Sequence, residues 1–232
     1  METKHFVAGY RDLVKGLLEK YPLDEAMSLA VGGGGYHEKG ELHHRILRYA
    51  GLKDGMSIVD LGCGSGRLAH ALSRLAQVDY IGVDVVQDLL DYAKSKSSAE
   101  YRFVLHQDLS IPVPDHSADF ICAFSVFTHL LPEESFAYLC DMRRALKPDG
   151  KVVFTFLELG KENKTHWEIF LHTVNSRVAN VSMPINAFLE REVIRQWCRH
   201  LGYEVLEMMD DTHAPYGEPV AMQTVAILQR AL

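Results

Sequence analysis

Three acids and one histidine stand where side chains can do chemistry. Ser57 to Gly66 reads S-I-V-D-L-G-C-G-S-G, with Asp60 just ahead of Gly62, Gly64 and Gly66 at alternate positions. A second acid, Asp84, closes the apolar run Tyr80–Val83. A third, Asp108, follows the run Tyr101–His106. His129 lies in S-V-F-T-H-L-L, directly after the apolar run Asp119–Phe124. A carboxylate accepts hydrogen bonds at both oxygens, so it can take a pair of hydroxyls. A neutral imidazole can take a proton near pH 7.

The elements that must position these groups are legible around them. Ile58 and Val59 are β-branched and apolar, as a parallel strand buried on both faces requires. The glycines allow a tight turn and close approach of a ligand. Arg67–Leu75 then opens a helical pattern, with Leu68, Leu72 and Leu75 on one side. Strand, glycine turn and helix together hold a nucleotide-like ligand at the carboxyl edge of a parallel sheet. Tyr80–Val83 follows at the distance that a β-α-β unit needs. Asp84, with Val85 beside it, is there placed to accept from both hydroxyls of a ribose.

The spacing discriminates between ligands. A dinucleotide fingerprint is G-x-G-x-x-G. Here the pattern is G-x-G-x-G, and Arg67 occupies the place of the third fingerprint glycine. D-x-G-x-G-x-G instead resembles the first motif of the class I S-adenosylmethionine-dependent methyltransferases. The resemblance implies that the loop of Gly62, Cys63, Gly64, Ser65 and Gly66 packs on the methionine part of the cofactor. It implies that Asp60 helps fix the polar end, where a sulfonium and an ammonium suit a carboxylate better than a pyrophosphate would. It puts Asp108 against the adenine amino group, the Leu109 backbone near the ring, and Ser125 on the cofactor through its backbone. Arg143–Gly150, R-R-A-L-K-P-D-G, resembles the helix-to-strand turn of the same family, with Pro148 and Gly150 turning the chain into a fifth strand, Lys151–Leu157.

The fold so implied is α/β: a doubly wound, seven-stranded, mostly parallel Rossmann-like sheet with helices on both faces and an antiparallel last strand, expected over Val220–Gln229. Residues 1–232 then form one methyltransferase domain. It comprises an N-terminal helical cap (1–50), a cofactor-binding core (51–157) and an acceptor-side region that completes the sheet (158–232). The reaction implied is in-line transfer of a methyl group from S-adenosylmethionine, leaving S-adenosylhomocysteine. It is driven mainly by holding acceptor and methyl in near-attack geometry.

The cap and the acceptor side are read from the residues alone. Phe6, Tyr10, Leu13, Val14, Leu17 and Leu18 recur at helical spacing until Pro22 stops the helix. Gly32–Gly35 is either the hinge of a lid over the cofactor or a surface linker. As a lid it would bring Tyr36 to the cofactor. His129 is either a general base that takes a hydroxyl proton or a residue that packs or caps the next helix. Glu158, His166, Trp167, Asn186 and Phe188, with His213 and Tyr216 in a later polar loop, are the acceptor-side candidates.

Composition narrows the partners. The chain has 232 residues, 47% of them hydrophobic, enough for a sizeable core. Its net charge of −7 disfavours nucleic acid as the main partner. The four cysteines form no C-x-x-C pair and read as reduced thiols. The N-terminus lacks the apolar core of a signal peptide, and no apolar run is long enough for a bilayer, so a cytoplasmic location without membrane contact is expected. No metal is expected. His37 to Glu41 is H-E-x-x-E rather than H-E-x-x-H. The acid that metal-dependent catechol-type enzymes carry after the fourth strand is replaced by S-V-F-T-H. The N/D-P-P-Y/F motif of amino-methyltransferases is absent too. The S-V-F-T-H-L run, the upstream G-G-G-G-Y-H and the Y-I-G-V-D-V-V segment resemble bacterial methyltransferases of sugars or small secondary metabolites, so a small-molecule hydroxyl is the expected acceptor. Methylation of nitrogen or carbon, a macromolecular target, and a non-catalytic S-adenosylmethionine-binding protein stay open. Oligomeric state is not legible.

Overall fold

The computed structural model describes residues 4–158, 164–179, 184–210, 212–220 and 222–231. Among them, seven strands form one sheet: β1 (Ser57–Leu61), β2 (Asp79–Asp84), β3 (Arg102–Leu105), β4 (Ala118–Ala123), β5 (Leu146–Phe156), β6 (Tyr203–Met209) and β7 (Thr224–Arg230). Their order is β3-β2-β1-β4-β5-β7-β6, and β7 runs antiparallel to both β5 and β6. The chain moves outward from β1 through β2 to β3, then returns to lay β4 on the other side of β1. The carboxyl ends of β1 and β4 therefore flank the point where strand order reverses, which is where open α/β sheets bind ligands.

Successive strand residues point to opposite faces, so a strand covered on both sides must be apolar throughout. Val59, Ile121, Val152 and Phe154 meet Leu139 and Met142 of α6 (Pro132–Ala145) and Ile194 and Cys198 of α8 (Arg191–Leu201). Ile58, Phe120 and Val153 face the other way. They meet Leu42, Ile46 and Leu47 of α3 (Tyr36–Tyr49) and Leu68 and Leu72 of α4 (Arg67–Leu75). Each such side chain, fully buried, contributes roughly 1.5–3 kcal/mol of transfer free energy. α1 (His5–Leu18) and α2 (Leu23–Ala30) lie outside these layers. Their Val14, Met27 and Ala30 pack on Val86, Leu89 and Tyr92 around α5 (Gln87–Ser95), while Phe6 and Val7 reach the α6 side. α1 thus crosses the carboxyl edge of the sheet from one side of the switch point to the other.

Four boundaries differ from the sequence reading. β5 begins at Leu146, because Leu146 already pairs with Ala118 and the register then shifts. The K-P-D-G turn is therefore a bulge within the strand, with Asp149 at φ 60°. β7 begins at Thr224 and not at Val220, because the Gln223 amide turns back to the Val220 carbonyl (3.1 Å) and Met222 adopts φ 62°. The sequence reads as helices over Glu38–Ala50 and Trp167–Val178; α3 begins two residues before the first, at Tyr36, and α7 three residues before the second, at Lys164. The apolar stripe of α7 faces out: Trp167 is 46% exposed and Leu171 52%.

Candidate active site

Asp84 is the anchor of the edge. Its side chain is buried, and it accepts from three main-chain amides: Gly64 at 2.8 Å, Val85 at 2.7 Å and Val86 at 3.1 Å. The end of β2 is thereby tied to the glycine turn after β1. Burial pushes the Asp84 carboxyl pKa up, and the three amides oppose that rise. A carboxylate has about four acceptor positions, so one remains for a hydroxyl.

The glycine turn is held from several sides. The Gly62 and Cys63 amides donate to the Val83 carbonyl at 2.7 and 3.0 Å. Gly62 and Gly64 adopt φ 68° and 55°, and a Cβ there would lie 2.4 Å from Val126 Cγ2 and 2.5 Å from Val31 Cγ1. The surface over these two glycines is thus covered by the tips of two valines, one after β4 and one at the end of α2. Ser65 is fully buried, and its hydroxyl donates to the Met27 carbonyl of α2 (2.9 Å). Tyr36 donates its hydroxyl to the Ser65 carbonyl (2.6 Å) and sets its ring against Tyr92. Cys63 is buried, and burial pushes its thiol pKa well up.

Asp60 differs from the position the resemblance implied. Its carboxyl group is turned into the sheet, 3% exposed, and accepts from the Tyr80 hydroxyl (2.7 Å) and the Cys122 thiol (3.4 Å). An acid at an even position of β1 faces the α3–α4 layer, between its strand neighbours β2 and β4. Burial pushes its pKa up to about 7, against the two hydrogen bonds.

Asp108 lies on the surface, ion-paired to Lys4 (3.0 Å), which holds its pKa down. Lys4 also donates to the Gln107 carbonyl (2.7 Å), and the Gln107 amide donates to the Val85 carbonyl (3.2 Å). Leu109 packs against the α6-side core. A cleft of about 180 Å³ opens beside these groups, lined by Arg11, Val85, Val86, Gln87, Asp88, Leu105 and Gln107.

After β4 the chain turns sharply. Ser125 adopts φ 58°, its amide donates to Thr155 Oγ1 (2.7 Å), and its carbonyl accepts from the Thr128 hydroxyl (3.0 Å). Its backbone is thus engaged within the protein. The turn carries His129, whose Nδ1 lies 2.7 Å from the Ile185 carbonyl. A carbonyl only accepts, so Nδ1 carries the hydrogen and Nε2 keeps its lone pair in the neutral ring. Burial lowers the pKa of His129, which keeps the ring neutral at physiological pH.

His129 lines a larger cavity of about 500 Å³, with Thr128, Leu157, Glu168, Ile169, His172, Asn186, Met222 and Gln223. Such a volume suits a drug-sized or smaller molecule. Of the acceptor-side residues read from sequence, Asn186 alone lines it. Glu158 is buried in an ion pair with Arg191 (2.5 Å), which also pairs with Asp210, and accepts from Thr224 (2.8 Å). His166 is buried, Trp167 points outward, and Phe188 packs on Phe170. His213 pairs with Glu207, and Tyr216 packs on Tyr49. Glu168 and His172 were not singled out. They stand one turn apart on α7, beside the exposed stripe of Trp167 and Leu171. Tyr10 was read only as part of an apolar helix face. Its ring stands edge-on to His129, 5.4 Å between centroids, and the Asp84 charge helps burial raise its hydroxyl pKa.

Among the described residues, no group of three or more His, Cys, Asp or Glu is placed to hold a metal ion. None of the described helices is long and apolar enough to cross a membrane. The donor set at the edge consists of carboxylates and main-chain groups around a glycine turn. It fits a hydroxyl-bearing, positively charged ligand better than a pyrophosphate.

Comparison with known proteins agrees. Residues 59–154 match the family described as "Methyltransferase domain". A ubiquinone biosynthesis O-methyltransferase of Neisseria meningitidis is 22% identical over 174 residues, 72% of each chain. Two solved structures share the fold. Magnesium protoporphyrin IX methyltransferase from Synechocystis PCC 6803, with bound S-adenosylhomocysteine, has a TM-score of 0.66 at 15% identity, covering 96% of this chain and 100% of that one. A TehB-like methyltransferase from Corynebacterium glutamicum has a TM-score of 0.58 at 23% identity, covering 87% and 91%. Residues 59–154 are thus those of a methyltransferase domain, and the similarities support a class I S-adenosylmethionine-dependent enzyme with S-adenosylmethionine as methyl donor.

Proposed function

We propose that this methyltransferase acts on a hydroxyl group of a small molecule, of the size of a sugar or secondary metabolite, bound in the cavity beside His129. The observation that carries the proposal is the tautomer of His129. With Nδ1 donating to Ile185, Nε2 of the neutral ring keeps its lone pair, and His129 lines a cavity of about 500 Å³. The name of the Neisseria relative, an O-methyltransferase of ubiquinone biosynthesis, supports a small-molecule acceptor.

S-adenosylmethionine supplies an electrophilic methyl group on a good leaving group. Asp84 accepts from one of its ribose hydroxyls, the main chain of Gly62–Gly66 cradles the methionine part, and Val85, Asp108 and Leu109 border the adenine. Asp60 acts through the sheet, fixing the strand from which the turn springs. Ser125 shapes the turn after β4, and Tyr36 braces the glycine turn from outside. α1 and α2 act as a lid: Val31 must leave Gly64, with Gly32–Gly35 as hinge, for the cofactor to enter. All four hinge glycines have positive φ, from 48° to 89°. His129 takes the hydroxyl proton as oxygen attacks, and α7 holds the acceptor. The location is cytoplasmic.

The test is transfer of labelled methyl to a panel of phenols, polyols and amines, with His129→Gln beside wild type. The expected result is labelled ether product, with kcat lowered by about 10²–10⁴-fold in the variant and cofactor affinity unchanged. Wild-type kcat/KM should rise with pH through a pKa below the ordinary histidine value of about 6.5 and then stay flat, and the variant should lose that limb. Label on amines only, or an unchanged kcat in the variant, would contradict the proposal.

A further inference from the structure

Tyr10 is the residue of α1 that reaches the switch point itself. On one side its ring meets His129, which follows β4. On the other side it packs, as Val85 at the end of β2 also does, against the cluster of Val86, Leu89 and Tyr92 that the cap forms with the α5 side. β1 lies between β2 and β4, so the two contacts are about two strand spacings, roughly 10 Å, apart. The glycine turn lies in the gap. A cofactor whose ribose is held at Asp84 and whose methyl faces the cavity at His129 must cross that gap, beneath Tyr10. The contact with His129 is near perpendicular, 76° between planes, and occupies at most one face of the tyrosine ring.

We infer that Tyr10 presents its ring to the sulfonium of S-adenosylmethionine and selects the charged methyl donor over the neutral thioether product. This rests on the cofactor placement proposed above. An aromatic face attracts a cation within about 6 Å and has no such attraction for a neutral sulfur. The same ring, lying against His129, sets the distance between base and methyl when α1 closes. Tyr10 is thus a cofactor-contacting residue supplied by the lid. Product release follows from the chemistry: once the methyl and its charge have left, the lid loses an attraction that held it shut.

The test needs no acceptor. Dissociation constants for S-adenosylmethionine and S-adenosylhomocysteine are measured by calorimetry on the full chain for wild type, Tyr10→Phe and Tyr10→Leu. Leucine keeps apolar volume in the cap and removes the π face, so the fold is kept. The quantity read is the ratio of the two constants. Phenylalanine should leave the ratio within twofold of wild type. Leucine should shift it about fivefold toward the neutral product, with little change in the affinity for that product. A ratio unchanged in Tyr10→Leu, or equal losses for both ligands, would mean that Tyr10 only packs the cap, and would overturn the inference. Wild-type protein that bound neither ligand would overturn the cofactor placement, and the inference with it.

Discussion

The edge around the glycine turn and the wall formed by α7 are neighbours built in opposite ways. At the edge, the groups are main-chain amides and buried carboxylates fixed at the ends of paired strands. Asp84 alone gathers three amides from two segments. At the wall, the groups are side chains of one helix and two loops: Glu168 and His172 from α7, Asn186, and Gln223 beside Ser125. The edge is closed over by Val31 and Val126, while the wall borders an open cavity. A site made of backbone must have its geometry written in local sequence, as glycines and strand ends. A site made of side chains on a helix can change residue by residue without disturbing the sheet. On the proposed reading, one half serves a ligand common to a family, and the other an acceptor particular to the enzyme.

That contrast can be broken by substitution. The largest effect should come from Asp84→Ala, which leaves three amides without their acceptor and removes the ribose partner. S-adenosylhomocysteine affinity should fall at least about thirtyfold and stability by about 2–4 kcal/mol, read by calorimetry and denaturant unfolding. A variant that lost binding at wild-type stability would show that Asp84 serves the ligand alone.

An intermediate effect belongs to Asp60, which serves the edge from inside the sheet. Its pKa is raised to about 7 in the fold, above the ordinary aspartate value of about 3.9. The folded state therefore holds its proton more tightly. Stability should fall as pH rises from about 4 to about 7, and the loss is complete above that window. Asp60→Asn removes this dependence. Between pH 4.5 and 7.5 wild type should lose roughly 2–4 kcal/mol more than the variant in denaturant unfolding. Parallel curves for the two proteins would show that Asp60 is charged throughout.

The smallest effect should come from the wall. His172→Ala should raise the acceptor KM by about three- to tenfold, with cofactor affinity and melting temperature unchanged, because the side chain projects from an exposed helix face. Loss of cofactor binding in this variant would erase the distinction between the two regions.

The same contrast explains what the sequence disclosed. The seven-stranded, mostly parallel sheet, its antiparallel last strand and the ligand edge follow from apolar runs, one glycine turn and the family resemblance they carry. The places of Asp84 and His129 at the sheet edge could be read because strand ends mark that edge. The packing of Asp60 into the sheet could not, since a strand-end acid reads the same whether it faces ligand or core; only the parity of β1 and the proximity of Tyr80 decide it. The α7 region was legible as a helix but not in its orientation, for a physical reason. Apolar spacing on a helix is read as an inward face, yet here Trp167 and Leu171 lie outside and Glu168 and His172 line the cavity. Tyr10 was hidden among six apolar residues at helical spacing. Its position against His129 arises from the path of α1 across the sheet, which no local pattern encodes.

The most direct measurement is a crystal structure of the protein soaked with S-adenosylhomocysteine. The expected density runs from the Asp84 carboxylate across the glycine turn, beneath Tyr10, with the sulfur directed at the cavity that holds His129. Density that placed the sulfur away from that cavity, or that left Asp84 without a ribose, would contradict the assignment of cofactor and acceptor to these two regions.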